Sequence, residues 1–301
     1  MSGIRARDRG GARPFRTAGL EVSPEKADLD AMQVFGVDAP LAAFVLVAAT
    51  FALFAGLELV APFRAPGQPK GRRWMTNLAL FAIDTLAVRL LVPVLLVGMA
   101  VLAETRGWGL FNTLDWPFWL EATLAILALD LALYAQHWAT HRVPLLWRLH
   151  RVHHTDRDFD VTTAARFHPV EIVLSMGYKL AVVAALGAPA LAVFLFEVGF
   201  TMLTIFNHSN TRLPARIEPV VRALIVTQDM HRVHHSVVER ETNSNYGTML
   251  SGWDRLFGTY RARPAAGADK VRIGLSEFQD DKPAKLGWSL ALPFLGDARR
   301  K

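Results

Sequence analysis

Five long apolar runs limit what this chain can fold into. PLAAFVLVAATFALFAGLELVAPF, at 40–63, has the length of a membrane-spanning helix. A second run, roughly 75–103, carries Asp84, Arg89 and Pro93. The third, PFWLEATLAILALDLALYAQHWATH at 117–141, opens with Pro near its first turn, where Pro is tolerated, and closes on histidine. The fourth and fifth, roughly 170–187 and 189–206, are joined by GAPA and predict a helical hairpin. Lipid offers no hydrogen bonds, so such runs satisfy their own backbone as helices. A hydrophobic content of 52% agrees. The expectation is an all-α integral membrane protein with about four to five transmembrane helices and a cytosolic helical cap.

Charge orients the spans. The connection 64–74 holds Arg64, Lys70, Arg72 and Arg73, residues 142–166 hold five Arg, and 104–116 holds only Arg106. The positive-inside rule places 64–74 and 138–169 in the cytoplasm, at the inner or plasma membrane if the chain is bacterial. The same rule accounts for the net charge of +6. No Lys/Arg stripe with interleaved aromatic residues appears, so no nucleic-acid partner is expected. The absence of Cys excludes disulfides, thiolate metal sites and a thiol nucleophile. Residues 1–38, rich in Gly, Arg and Pro at the start, read as a disordered arm. The membrane domain is expected over 39–264, with a cytosolic tail over 265–301. Within the membrane domain, IEPVVRALIVTQ (217–228) puts Ile217, Val220, Val221, Leu224 and Ile225 on one face. It reads as a helix lying in the membrane interface or as a buried cytoplasmic helix.

The histidines carry the chemistry. HRVHH stands at 150–154 and again at 231–235, in a chain with ten His. The spacings are H-x-x-x-H (His137, His141), H-x-x-H-H (His150, His153, His154) and the same again (His231, His234, His235). Two more His stand in RFHPVE (His168) and FNHSN (His208). On a helix, positions three and four apart share a face, while adjacent rings diverge. Eight box histidines exceed what one first-row ion uses, and two ions in one pocket account for them. All ten fall on the cytoplasmic side of the predicted topology.

Asp130, Tyr134, His137 and His141 lie near one stripe of the third span. An intramembrane carboxylate is costly and usually functional, so Asp130 is a candidate acceptor for a ligand imidazole N–H; a pair with Arg89 is the rival reading. Tyr134 is a companion candidate, as are Asp229, beside the last box, and Glu171, after His168. Imidazole suits zinc, iron, copper and nickel alike. Two zinc ions would support a membrane hydrolase, and a metal transporter or sensor is a further alternative. A site at the depth of acyl chains favours redox metal and dioxygen acting on C–H bonds.

The box order, together with THRVPLLWRLHRVHHTDRDFDVTTAARFHPVE (140–171), NHSNTRLP (207–214) and TQDMHRVHHSVVERETNSNYGTMLSGWDRLFGTY (227–260), resembles the fatty acid hydroxylase / sterol desaturase superfamily, especially its bacterial branch. The resemblance covers roughly 40–264. It implies a transmembrane stalk capped by a His-rich site for two Fe ions. It implies O2-dependent hydroxylation or desaturation of a sterol, fatty acyl chain or related lipid, with electrons from a separate reductase, ferredoxin or cytochrome partner. By position, His137, His141, His150, His153, His154, His231, His234 and His235 carry over as metal ligands, His208 as a ninth, and His168 as a ligand or its support.

Overall fold

A computed structural model describes residues 33–34 and 37–296. The arm expected over 1–38 therefore falls almost wholly outside the described residues. A two-stranded ribbon, β1 (Gln33–Val34) and β2 (Val37–Asp38), leads into the first helix.

The spans are α1 (Ala39–Val60), α2 (Lys70–Leu91), α4 (Phe118–Arg142), α6 (Pro169–Leu186) and α7 (Ala190–His208), with α3 (Leu96–Arg106) between the second and third. Five helical segments are long and apolar enough to cross a membrane, and the protein is integral to one. The second expected span, 75–103, falls inside a candidate crossing over 70–113; its helix begins earlier, at Lys70, and is interrupted after Leu91, around Pro93, before resuming at Leu96. α1 lies along α7, α2 along α6, and α4 against both α6 and α7.

The apolar core sits at the end of the bundle remote from the histidines. Leu96 and Ala100 of α3, Ala125 and Leu129 of α4, Val183 of α6 and Phe196 of α7 are buried together there. That end is closed by glycine. Gly187 ends α6 in the left-handed region (φ 64°), and a Cβ on Gly109 would lie 2.1 Å from the Gly187 nitrogen, so neither position has room or conformation for a side chain. Elsewhere the span surfaces stay apolar and open, as at Phe44 (70% exposed) and Leu90 (73%), as lipid-facing surfaces require.

At the other end the chain builds a cap from α5 (Pro144–His154), α8 (Glu218–Leu224), α9 (Gln228–His234), α10 (Glu239–Thr242), α11 (Gly252–Leu256) and α12 (Leu286–Ala291). Val143 precedes Pro144 in extended conformation, which separates α4 from α5 and turns the chain between two His boxes. Ile217, Val220 and Leu224 of the 217–225 segment are exposed, and no residue of α8 is buried, which favours the interfacial reading over the buried one.

Buried charge holds the cap together. Arg73 of α2 pairs with Asp156 at 3.0 Å and with Asp160. Asn77 donates to the same Asp156 carboxylate, at 3.0 Å. Arg166, fully buried, donates from Nε to the Val152 carbonyl, from Nη1 to Asn77 Oδ1, and from Nη2 to Thr155, the Pro283 carbonyl and Ser289. Burial lowers the Arg166 guanidinium to about 10, still charged at neutral pH, and the Asp156 carboxylate opposes the shift. The segment set apart in the sequence as a tail from residue 265 is thereby bound into the cap. Arg151 donates to the Leu292 carbonyl at 2.8 Å, and Leu292 packs against Leu80 and Val152.

Candidate metal centre

Nine of the ten histidines meet at the capped end. His137, His141, His150, His154 and His234 form one group and His153, His208, His231 and His235 another, with each group's ligand atoms within 4.8 Å of one another. Each HRVHH copy divides between them. In α5, His150 and His154 point to the first group and His153 to the second; around α9, His234 points to the first and His231 and His235 to the second. The groups adjoin, for His154 stacks on His235 with ring centroids 4.6 Å apart.

The ring orientations are set from outside. His137 Nδ1 lies 2.8 Å from the Tyr246 carbonyl, His234 Nδ1 2.7 Å from the Ser244 carbonyl, and His150 Nδ1 2.6 Å from Glu171 Oε1. In the second group, His208 Nδ1 reaches the Thr204 carbonyl and His153 Nδ1 the Arg166 carbonyl. A carbonyl only accepts, so these contacts fix the proton on Nδ1 and leave Nε2 with a bare lone pair. The Nε2 atoms of His137, His150 and His234 are buried with no hydrogen-bond partner. Those of His153 and His208 face each other at 3.2 Å, and those of His208 and His231 at 3.0 Å.

Lone pairs so buried and so close need a cation between them. Nitrogen ligands about 2.0–2.1 Å from a first-row ion stand roughly 3 Å apart when they share it, which is the spacing seen. Burial, reinforced by neighbouring rings, holds His153, His154, His231 and His235 well below the usual histidine range, and burial pushes His234 down to about 3. These imidazoles are neutral at neutral pH, as metal ligands must be. The nine donors thus fit two imidazole-bound ions.

Aromatic rings wall the second group. Phe167 stacks on His153 (centroids 4.5 Å, planes 6° apart), and Phe159 lies against His208 and His235. Trp147 and Tyr246 flank the first group at His141.

The remaining candidates take other places. His168 lies outside both groups: its Nδ1 accepts from the Val170 N–H at the start of α6, and its Nε2 faces the Leu290 carbonyl. Asp130 accepts from Thr248, the Leu250 N–H and Trp253 Nε1, and among the described residues no imidazole or arginine hydrogen-bonds it. Tyr134 hydrogen-bonds Thr259 and stacks on Phe257. Asp229 pairs with Arg212 and Arg232, because both guanidiniums reach it while the α9 rings turn inward. Glu171 alone of the acidic candidates contacts a grouped histidine.

Sequence reasoning missed the backbone carbonyls of residues 244 and 246, although NYG and WDRLFGTY marked the place. Asn245 adopts a left-handed conformation (φ 54°) that Asn tolerates, and its side chain bonds the Met230 and Arg261 carbonyls. Gly247 has no space for a Cβ, which would lie 2.8 Å from Asp254 Oδ2. Asp254 accepts from the Tyr246 and Gly247 amides, and its neighbour Trp253 donates to Asp130. The two motifs are a brace that presents the Tyr246 carbonyl to His137.

Fold and site define an integral membrane protein with two adjoining groups of histidines, at one end of its spans, that could hold metal ions. Residues 122–259, which include every histidine of the site, match the family described as Fatty acid hydroxylase. Over 160 residues it is 31% identical to the ornithine lipid hydroxylase OlsE of Rhizobium tropici, covering 53% of this chain and 47% of that protein. It is 28% identical over 222 residues to alkylglycerol monooxygenase of Homo sapiens (73% and 47%), and 28% identical over 145 residues to cholesterol 25-hydroxylase of Mus musculus (47% and 47%). The alignments thus span about half the length of these curated relatives. No solved structure matches the chain.

Proposed function

We propose that the protein is a membrane-bound, O2-dependent lipid hydroxylase or desaturase that holds two Fe ions, one in each histidine group. The observation that carries this reading is the convergence of nine imidazoles, seven of them buried, with unpartnered or mutually facing ring nitrogens, at the end of a lipid-facing bundle. Relatives named for hydroxylating ornithine lipid, alkylglycerol and cholesterol support it. Bound there, iron supplies the redox chemistry that opens an unactivated C–H bond with dioxygen.

The chain's own residues do the rest. The carbonyls of Tyr246, Ser244, Thr204 and Arg166 hold each imidazole in the tautomer that turns Nε2 inward. Glu171 adds a negative charge behind His150 and strengthens that ring as a donor. Phe159, Phe167 and Trp147 exclude water, which limits loss of oxidising power to solvent. His137 and His141 belong to α4, so the first group borders the spans and is where a membrane lipid approaches. The positive-inside rule puts the cap in the cytoplasm, where a soluble or membrane-bound electron donor delivers reducing equivalents.

The test is metal analysis of the purified full-length protein with O2 uptake under reduction, joined to lipid mass spectra of cells with and without the gene. The expected result is about two iron per chain and one lipid class shifted by one oxygen or two hydrogens. A fully active preparation containing only zinc rejects the reading.

A further inference from the structure

A cavity of ≈ 180 Å³ lies between the 64–70 connection and the 157–160 loop, and the metal ligands take no part in lining it. Six cationic side chains line it: Arg64, Lys70, Arg73, Arg157, Arg232 and Arg272. Only two carboxylates join them. Asp158 is occupied by the Gly67 and Gln68 amides, and Asp160 by Arg73, Trp74 and Thr162. Three of the cations, Arg64, Lys70 and Arg272, form no ion pair among the described residues. Arg64 donates to the Val271 carbonyl, Arg272 to Gln279, and Lys70 lies over Trp74. The other three hold a donor in reserve. Arg73 and Arg232 are 2% and 1% exposed, yet the Nε of each is buried without a hydrogen-bond partner, as is the Nε of Arg157; Arg73 Nε has only the Asp158 carboxylate, 3.9 Å away.

Buried N–H donors left unmatched on a concave surface with an excess of positive charge are the makings of an anion site. The cavity holds several waters' worth of space at about 30 Å³ each, enough for a tetrahedral oxyanion. Its level in the bundle is informative. The 64–70 connection links the end of α1 to the start of α2, where the spans leave the apolar layer and lipid headgroups lie. Phe159 lines the cavity on one side and packs on His208 and His235 on the other, so the cavity is one aromatic ring away from the second histidine group.

We propose that this cavity binds a phosphate-class anion, either the headgroup phosphate of a membrane lipid or free phosphate. The assignment stands whether or not the histidine groups oxidise lipid. Inorganic phosphate titrated calorimetrically into the full-length protein in neutral detergent binds saturably. Replacing Lys70→Gln and Arg272→Gln together removes two donors remote from the metal ligands and raises the Kd by at least about tenfold, as loss of charge-assisted contacts does. A short-chain phosphatidic acid that displaces phosphate with a lower Kd identifies a lipid headgroup; failure to displace it identifies the free ion. Unchanged thermal melting and unchanged metal content show that the variant is folded. If the double variant melts early, Lys70→Gln alone is measured and carries the same expectation with a smaller shift. Absence of saturable binding by either probe, or equal Kd in a folded variant, overturns the proposal.

Discussion

The two histidine groups are built from the same pentapeptide yet differ in how they are closed. The second group is fully buried, and two of its Nε2–Nε2 spacings are already 3.2 and 3.0 Å. It takes imidazoles from α5, from α7, from the middle of α9 and from the residue that follows it, and phenylalanines cover it. The first group includes two partly exposed members, His137 and His141, on a spanning helix, and it alone has a carboxylate behind a ring, Glu171 on His150. Backbone and packing pre-form the second group, whereas a side-chain charge and a braced loop complete the first. On the proposed reading, a lipid arriving from the bilayer meets the partly exposed first group, and the buried second group lies beyond it.

Single ligand losses break the comparison most strongly. His234→Ala and His231→Ala each lower turnover by more than about a hundredfold, since ions sharing one pocket act as a unit. Metal analysis of the purified variants then separates them: each retains close to one ion per chain, in the opposite group. Glu171→Gln follows, with metal affinity falling by about 10–100-fold for the first group only, read by chelator competition showing one tight and one weakened ion. Asp130→Ala comes third. It leaves Thr248, Leu250 and Trp253 without their acceptor and costs about 1–3 kcal/mol, seen as a lower melting temperature in detergent before any change in bound metal at saturation. His168→Ala is smallest, about 1 kcal/mol from the lost cap of α6, with both ions retained. Loss of one ion in that variant places His168 among the ligands after all.

Much of this was readable beforehand, for definable reasons. The four runs at 40–63, 117–141, 170–187 and 189–206 are long and continuous, and length is what lipid demands. The boxes were legible because spacing of three and four on a helix fixes which rings share a face. The second span was drawn too late because Lys70, Arg72 and Arg73 look unlike membrane sequence, yet α2 begins with them, and Arg73 is buried against Asp156. The partners of Asp130 were not legible, because its stripe with His137 and His141 says where the carboxylate points along α4 and nothing about the loop that fills that space. Asp229 sits two residues from a ligand but on the outer face of α9, where Arg212 and Arg232 wait. The cap's ties, such as Glu58 accepting from the Val161 and Asn210 amides, join positions more than a hundred residues apart and have no local signature.

Arg166 has a consequence for how the protein is made. Its fork is satisfied by groups from α2, from α5 and from residues 283 and 289, and its own carbonyl orients His153. While a nascent chain is still short of those last residues, the helices can enter the bilayer with the guanidinium in water. The chamber around the histidines closes only once residues 283 and 289 are in place, so on the proposed reading metal loading follows insertion of the spans.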